Sequence, residues 1–203
     1  MRIDDLKEKL VNLKLPGFEA HKLMLPSFRL QKYDTTHYFQ SAVNIIMFNE
    51  ENRLKFILTK RSNKLQHHPG QISLPGGSFD NADKDLWHTA KRETYEEIGL
   101  ELNDKNFIRQ LTPIPVPVSR FIVNPYISYV DFVPKLKINR EEVEKIFIVE
   151  TESFFSCDNI KNSTIIIDSN TLNYNYFELE NEKVWGLTAM VLSEFNFLLN
   201  QKL

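Results

Sequence analysis

An α/β fold, with a mixed central sheet carrying helices on its faces, is what the sequence predicts, and three observations predict it. Strand-like segments recur along the chain between helical stretches near both ends and in the middle, an order that buries its apolar faces in layers. No repeat, low-complexity tract or linker interrupts them, so the chain reads as one globular domain. Residues 1–36 form an N-terminal helix and arm, and residues 37–203 the main domain. Glycine is scarce, six residues in 203 where average usage would give about fourteen, yet Gly70, Gly76, Gly77 and Gly99 all crowd around one acidic helix.

Asp4 to Leu13 reads as a short amphipathic helix with Leu6, Leu10 and Leu13 on one stripe, ended near Pro16-Gly17. Residues 18–36 carry no clear period and include Pro26; they read as a connecting arm and a candidate homodimer contact. His37 to Phe48 and Leu54 to Lys60 are strand-like and flank the turn Asn49-Glu50-Glu51-Asn52, a hairpin. Gln71 to Leu74 is a short strand, and Leu74-Pro75-Gly76-Gly77 reads as a loop whose backbone adopts positive φ or approaches something closely. Asp80, Asn81, Asp83 and Asp85 are each candidate N-caps for the acidic helix that follows. Strands are expected at Phe107–Thr112, Val123–Val133, Lys145–Val149, Ser163–Ile167 and Tyr174–Glu178, with a Pro-rich loop over 113–125 and a closing helix from Trp185 to Leu199.

The acidic helix carries the chemistry. Residues 92–99 read Arg-Glu-Thr-Tyr-Glu-Glu-Ile-Gly, and at about 100° per residue Glu93, Glu96 and Glu97 fall towards one face, where like charges repel. Gly99 reads as the C-cap, placing Glu96 and Glu97 in the last turn, where the macrodipole disfavours negative charge. The positions four residues on hold Leu100 and Glu101, so no cation answers them there, and Arg92 offsets only part of the charge. A solvated acidic face is the plain alternative, because glutamate is a good helix former. A bound hard cation such as Mg²⁺ relieves every conflict at once, since it takes carboxylate oxygens and bridges to substrate phosphates. The order strand, Gly-Gly loop, helix N-terminus also offers backbone N–H groups to an oxyanion.

This stretch resembles the Nudix box, written G-x5-E-x7-R-E-U-x-E-E-x-G-U with U aliphatic. Arg92-Glu93-Thr94-x-Glu96-Glu97-x-Gly99-Leu100 matches its second half, with Thr94 in an aliphatic place. The first half departs. Arg92 arrives one residue late counted from Gly77, the expected upstream glutamate falls on Lys84, and Asp83 or Asp85 is the stand-in. That expansion resembles the coenzyme A diphosphatase branch, as do Ile57-Leu58-Thr59-Lys60-Arg61-Ser62 and Gly70-x-x-x-Leu74-Pro75-Gly76-Gly77. Pro115-Val116-Pro117-Val118-Ser119 to Asn124-Pro125, Glu142-Val143 and Trp185-Gly186-Leu187-Thr188-Ala189 also look like that branch. Gln66 replaces a motif arginine and Leu74 a phenylalanine; the lost arginine weakens the coenzyme A assignment.

The resemblance implies a Nudix-type α/β/α sandwich and hydrolysis of a phosphoanhydride with Mg²⁺ or Mn²⁺ as cofactor. Glu93 and Glu97, one turn apart, are then the first metal ligands, and Glu96 shares a second ion or binds through water. Arg92 orients a glutamate, and Gly76 or Gly77 lets the diphosphate approach or gives a carbonyl to the metal. The base is a box glutamate or one on a later loop, for which Glu142 is the candidate. Arg61 is favoured over Lys60 for phosphate contact, because strand alternation puts the two on opposite faces, and arginine suits bidentate contact. Arg120 and Phe121 are candidates for a phosphate and a base.

The substrate reading is coenzyme A or a derivative, cut to 3′,5′-ADP and a 4′-phosphopantetheine product. The alternatives are ADP-ribose, NADH or a nucleoside triphosphate, and, from a different class, a non-hydrolytic nucleotide-binding module.

A formal net charge of −2 gives no global reason to bind nucleic acid or an anionic membrane. No run approaches the ~20 apolar residues of a membrane span, and the N-terminus lacks a signal-peptide core. The single cysteine, Cys157, excludes an intrachain disulfide and suits a reducing compartment. A cytoplasmic protein is expected, although the terminal Gln-Lys-Leu loosely echoes a peroxisomal Ser-Lys-Leu address. His67-His68 beside Pro69 read as loop residues rather than a transition-metal pair.

Overall fold

The structure is a computed structural model that describes residues 3–25, 34–167 and 170–201. Strand β1 (Phe39–Glu50) is its axis. It turns through Glu51 and Asn52, both at positive φ, into the antiparallel β2 (Arg53–Arg61), with Met47 opposite Phe56 and Glu50 opposite Arg53. On its other edge β1 runs parallel to β7 (Phe121–Tyr129), from Phe39 beside Phe121 to Met47 beside Tyr129.

The two hairpin strands splay apart at their open end, and a tight corner enters the fork. There β3 (Ile72–Ser73) pairs with Thr59 and Lys60 of β2, while β4 (Gly76–Ser78) pairs with Ser41–Val43 of β1. Helix α3 (Leu86–Ile98) packs over this fork. β5 (Phe107–Gln110) and β6 (Ile114–Val116) run antiparallel to β7, and β8 (Val143–Glu150) runs antiparallel to β2, with a bulge between Lys60 and Arg61. β9 (Ile160–Ile167), β10 (Asn170–Leu179) and β11 (Glu182–Val184) form a second, antiparallel sheet.

Period-two alternation on β1 divides the core between two layers. Ile45 and Met47 point into a cluster with Leu6 and Leu10 of α1 (Ile3–Asn12), Phe154 of α4 (Thr151–Phe154) and Phe195 of α5 (Gly186–Asn200). Ile46 and Phe48 point the other way, towards Ile98 and Leu100 at the end of α3. Ala42, Ala90 and Tyr126 complete the packing beneath α3. Helices therefore cover both faces of a mixed sheet, the expected α/β/α arrangement.

Three expectations need correction. Gly76 and Gly77 lie in a short strand rather than a loop, because their backbone completes the β1 ladder where β2 has left it. Within 113–125, Ile114–Val116 and the start of β7 are strand; Pro125 sits inside β7, and its carbonyl accepts the Leu111 N–H at 2.8 Å. The beginning of the arm is helical: α2 (Phe18–His21) and a 3₁₀ turn over Lys22–Met24 pack on α5. His21 Nε2 lies 3.0 Å from Glu194, whose buried carboxylate also accepts from Gly17 N–H and the Thr112 hydroxyl. Residues 26–33, where the arm and its candidate homodimer contact were expected to continue, lie outside the described residues, as do Lys202 and Leu203 of the terminal tripeptide.

Candidate active site

Helix α3 begins and ends on local signals. Asp85 is its N-cap, accepting the His88 N–H at 2.7 Å, and Gly99 closes it in the left-handed region at φ 68 with its N–H on the Tyr95 carbonyl. The helix lies close against β4. A Cβ on Gly77 would stand 2.4 Å from the Glu93 carboxyl carbon, and one on Gly76, at φ 153, would stand 2.2 Å from the Ala42 carbonyl oxygen. Only glycine lets β4 approach α3 at Gly77 and the β1 backbone at Gly76 this closely.

Glu93, Glu97 and Glu142 converge there, each offering a carboxylate oxygen within 4.8 Å of the others. Glu97 is only 3% exposed. Burial pushes its carboxyl up to about 8 against the Arg61 charge and the Gly76 N–H, and the Glu93 and Glu142 charges push the same way. Its Oε2 is buried without a hydrogen-bond partner. Burial also raises Glu93, although the Arg92 guanidinium donates to it at 2.8 Å. Glu142 stands at the end of the segment leading into β8, where Asn139 Nδ2 donates to its Oε1 at 3.0 Å.

Arg92 gathers the surrounding charges. Its Nε and Nη2 bind both oxygens of Asp83 at 3.0 Å, Nη1 reaches Glu93 and Glu96, and Nη2 also donates to the Ser78 carbonyl. The Arg92 guanidinium holds the Asp83 carboxyl well below the usual carboxylate range, helped by the Asp80 N–H, His88 and Thr89, and Asp83 in turn raises Arg92. The two candidate stand-ins thus separate: Asp83 takes the arginine and Asp85 takes the helix end.

Glu96 is not brought into the close carboxylate group. Its side chain is 45% exposed and turns to Arg92 at 2.9 Å, because one residue along the helix rotates it about 100° away from Glu97. Arg61, at the β2 bulge, faces Glu97, and its Nε is buried without a partner. Lys60 points to the opposite face and pairs with Glu182 and Glu144. Arg120 is exposed at φ 56 in the turn before β7 and, among the described residues, makes no hydrogen bond or ion pair with the carboxylates. Beside it the Phe121 ring packs 5.6 Å from that of Phe39, itself 66% exposed. His67 and His68 are exposed turn residues.

Sequence reasoning did not single out Asn139. Its signal was an asparagine at a turn, three residues before a glutamate, a pattern that supplies side-chain bonds to local backbone.

A family model described as the NUDIX domain matches residues 38–166. Among curated proteins, the peroxisomal coenzyme A diphosphatase ndx-8 of Caenorhabditis elegans is 30% identical over 157 residues, covering 75% of this chain and 65% of that protein. The human mitochondrial coenzyme A diphosphatase NUDT8 is 34% identical over 143 residues, covering 68% of this chain and 60% of that protein. Nudix hydrolase 15 of Arabidopsis thaliana, described as mitochondrial, is 33% identical, covering 75% of this chain and 56% of that protein. This chain thus spans between about half and two thirds of the length of these three relatives. Among solved structures, a MutT/nudix family protein from Enterococcus faecalis superposes with TM-score 0.57 at 13% identity, covering 99% of this chain and 75% of that one, a likeness of fold alone. With a family match spanning the hairpin, the paired-glycine strand and the acidic helix, the chain belongs to the Nudix hydrolase family.

Proposed function

We propose that this protein is a divalent-metal-dependent diphosphatase that cleaves coenzyme A or a derivative of it to 3′,5′-ADP and 4′-phosphopantetheine or an acyl-phosphopantetheine. The observation that carries the metal reading is the unpartnered, buried Oε2 of Glu97 within a group of three carboxylates. A buried carboxyl with an orphaned oxygen is costly, and an all-oxygen donor set of this kind fits a hard cation. Glu93, Glu97 and Glu142 would hold Mg²⁺ or Mn²⁺, with Glu96 near enough to Arg92 to stay oriented for a second ion or a bridging water. Bound there, the cation supplies charge neutralisation of diphosphate oxygens and acidification of a water.

The protein's own groups do the rest. Arg61, with its unpartnered Nε, binds a phosphate oxygen. Gly77 gives the Glu93 carboxyl room against β4, and the Gly76–Gly77 backbone lets the diphosphate approach. Arg92, anchored by Asp83, fixes Glu93. Glu142 takes the proton of the attacking water. Arg120 contributes a rim contact to phosphate beside Phe121 and the exposed Phe39.

Coenzyme A is favoured by the motif flanking the fork and by relatives named as coenzyme A diphosphatases. Gln66, where that motif has an arginine, favours the second reading, a diphosphatase for ADP-ribose, NADH or a nucleoside triphosphate. The same proposal takes residues 37–203 as the catalytic domain. It places the protein in the cytoplasm, whereas relatives are named peroxisomal or mitochondrial; among the described residues no helix is long and apolar enough to cross a membrane.

Incubation with Mg²⁺ or Mn²⁺ and a panel of coenzyme A, NADH, ADP-ribose and dGTP tests this. Release of 3′,5′-ADP from coenzyme A is expected. Preference for ADP-ribose rejects the branch and keeps the chemistry; binding without turnover supports a nucleotide-binding module instead.

A further inference from the structure

Glu142 comes from a different part of the chain than Glu93 and Glu97, and something must hold it against them. Asn139 does so with all of its polar groups. Its backbone N–H donates to the Glu97 carbonyl at 3.0 Å, capping one of the last carbonyls of α3, while Lys137 N–H caps that of Ile98 at 2.8 Å. Its own carbonyl accepts from Glu142 N–H at 3.1 Å and Val143 N–H at 2.8 Å. Its side-chain Oδ1 accepts from Glu141 N–H at 3.2 Å, and Nδ2 donates to Glu142 Oε1 at 3.0 Å. Ser62 N–H, next to Arg61, holds the Glu142 carbonyl at 2.8 Å.

An amide is the group this position requires. One end must accept from an N–H and the other must donate to a carboxylate, so both bonds together assign the orientation of the side chain. We infer that Asn139 is a positioning residue: it locks the Glu142 carboxylate to the C-terminal turn of α3, so that Glu97 and Glu142 are held in one frame. The inference rests on the proposed metal-dependent diphosphatase function. In it, Asn139 touches neither substrate nor metal and acts through Glu142.

Asn139→Asp keeps the acceptor for Glu141 N–H and the backbone bonds, while replacing the donor to Glu142 with an anion. The test compares wild type, Asn139→Asp, Glu142→Gln and the double variant by thermal unfolding without metal, Mn²⁺ titration calorimetry, and kcat and KM on the best substrate of the panel. Asn139→Asp should weaken Mn²⁺ binding and lower kcat by about 10–100-fold each. Its KM should stay near wild type, and its melting temperature should shift little. In the Glu142→Gln background it should cost nothing further, as expected for two residues acting as a unit.

Mn²⁺ affinity within about twofold of wild type, or losses that multiply fully with those of Glu142→Gln, overturns the inference. Should wild type turn over none of the substrates, the diphosphatase reading fails. The Mn²⁺ titrations still decide the role of Asn139 in that case.

Discussion

The Arg61 charge acts on the Glu97 carboxyl, and each residue keeps a buried polar atom without a partner: Nε of the arginine and Oε2 of the glutamate. A carboxyl and a guanidinium that leave such atoms unsatisfied form a poor structural pair, because desolvation of both is offset only where hydrogen bonds are complete. The proposed function accounts for both atoms: a cation would complete the bonds on the glutamate side and an anion those on the arginine side.

The pH dependence of stability follows from this. Burial raises Glu97 from its ordinary 4.5 to about 8, so between those values the folded, metal-free protein holds a proton that the unfolded chain has released. Stability contributed by the protonated form is therefore present at low pH and is lost as pH rises through about 8. Urea denaturation in chelator from pH 5 to 9 should show this fall, and Glu97→Gln should flatten it. A slope unchanged in the variant would place the titrating group elsewhere.

Gly76 and Gly77 should fail differently when a methyl group is added. At Gly77 the new Cβ meets the end of the flexible Glu93 side chain, which swings aside. Gly77→Ala should therefore fold but lose about tenfold or more in activity by misplacing a carboxylate. At Gly76 it meets the Ala42 backbone in a conformation that disfavours side chains, so Gly76→Ala should cost roughly 2–3 kcal/mol of stability. Denaturant midpoints and turnover measured on both variants check the contrast.

Asp83 anchors Arg92 through two parallel bonds from a nearly buried position. Asp83→Asn should lower stability by roughly 2 kcal/mol, moderated by the partial exposure of the arginine. Because the folded-state pKa of Asp83 is depressed, its contribution is complete above the unfolded value and disappears as pH falls below it. The wild-type and variant stabilities should then converge in acid, which denaturation between pH 2 and 6 measures.

Local rules made the acidic helix readable. Asp85 and Gly99 are cap residues in type and position, and repulsion between Glu93 and Glu97 is a matter of helical spacing alone. The wheel also drew in Glu96, which lies between the two faces and whose direction is decided by where Arg92 sits; Arg92 in turn is placed by Asp83 from beyond the helix. The strand at Gly76–Ser78 was hidden because its stabilisation is a non-local ladder with β1, against the intrinsic preference of glycine. The strand expected over Val123–Val133 already carried Pro125 in its interior; β7 instead starts at Phe121 and ends at Tyr129, because its limits are set by pairing with β1 rather than by local composition. The helical turn at Phe18–His21 is too short to show a period, and it is held by the buried contact of His21 with Glu194, far along the chain. Asn139 went unnoticed because its partners on α3 become neighbours only in the folded chain.

The most direct test of the central claim is calorimetric titration of Mn²⁺ into the metal-free protein and into Glu97→Gln, repeated in buffers of different ionisation enthalpy. Saturable binding to wild type, with proton release at pH 7 as Glu97 gives up its proton, and loss of that binding in the variant are predicted. No saturable binding to wild type, or equal binding in Glu97→Gln, would contradict it.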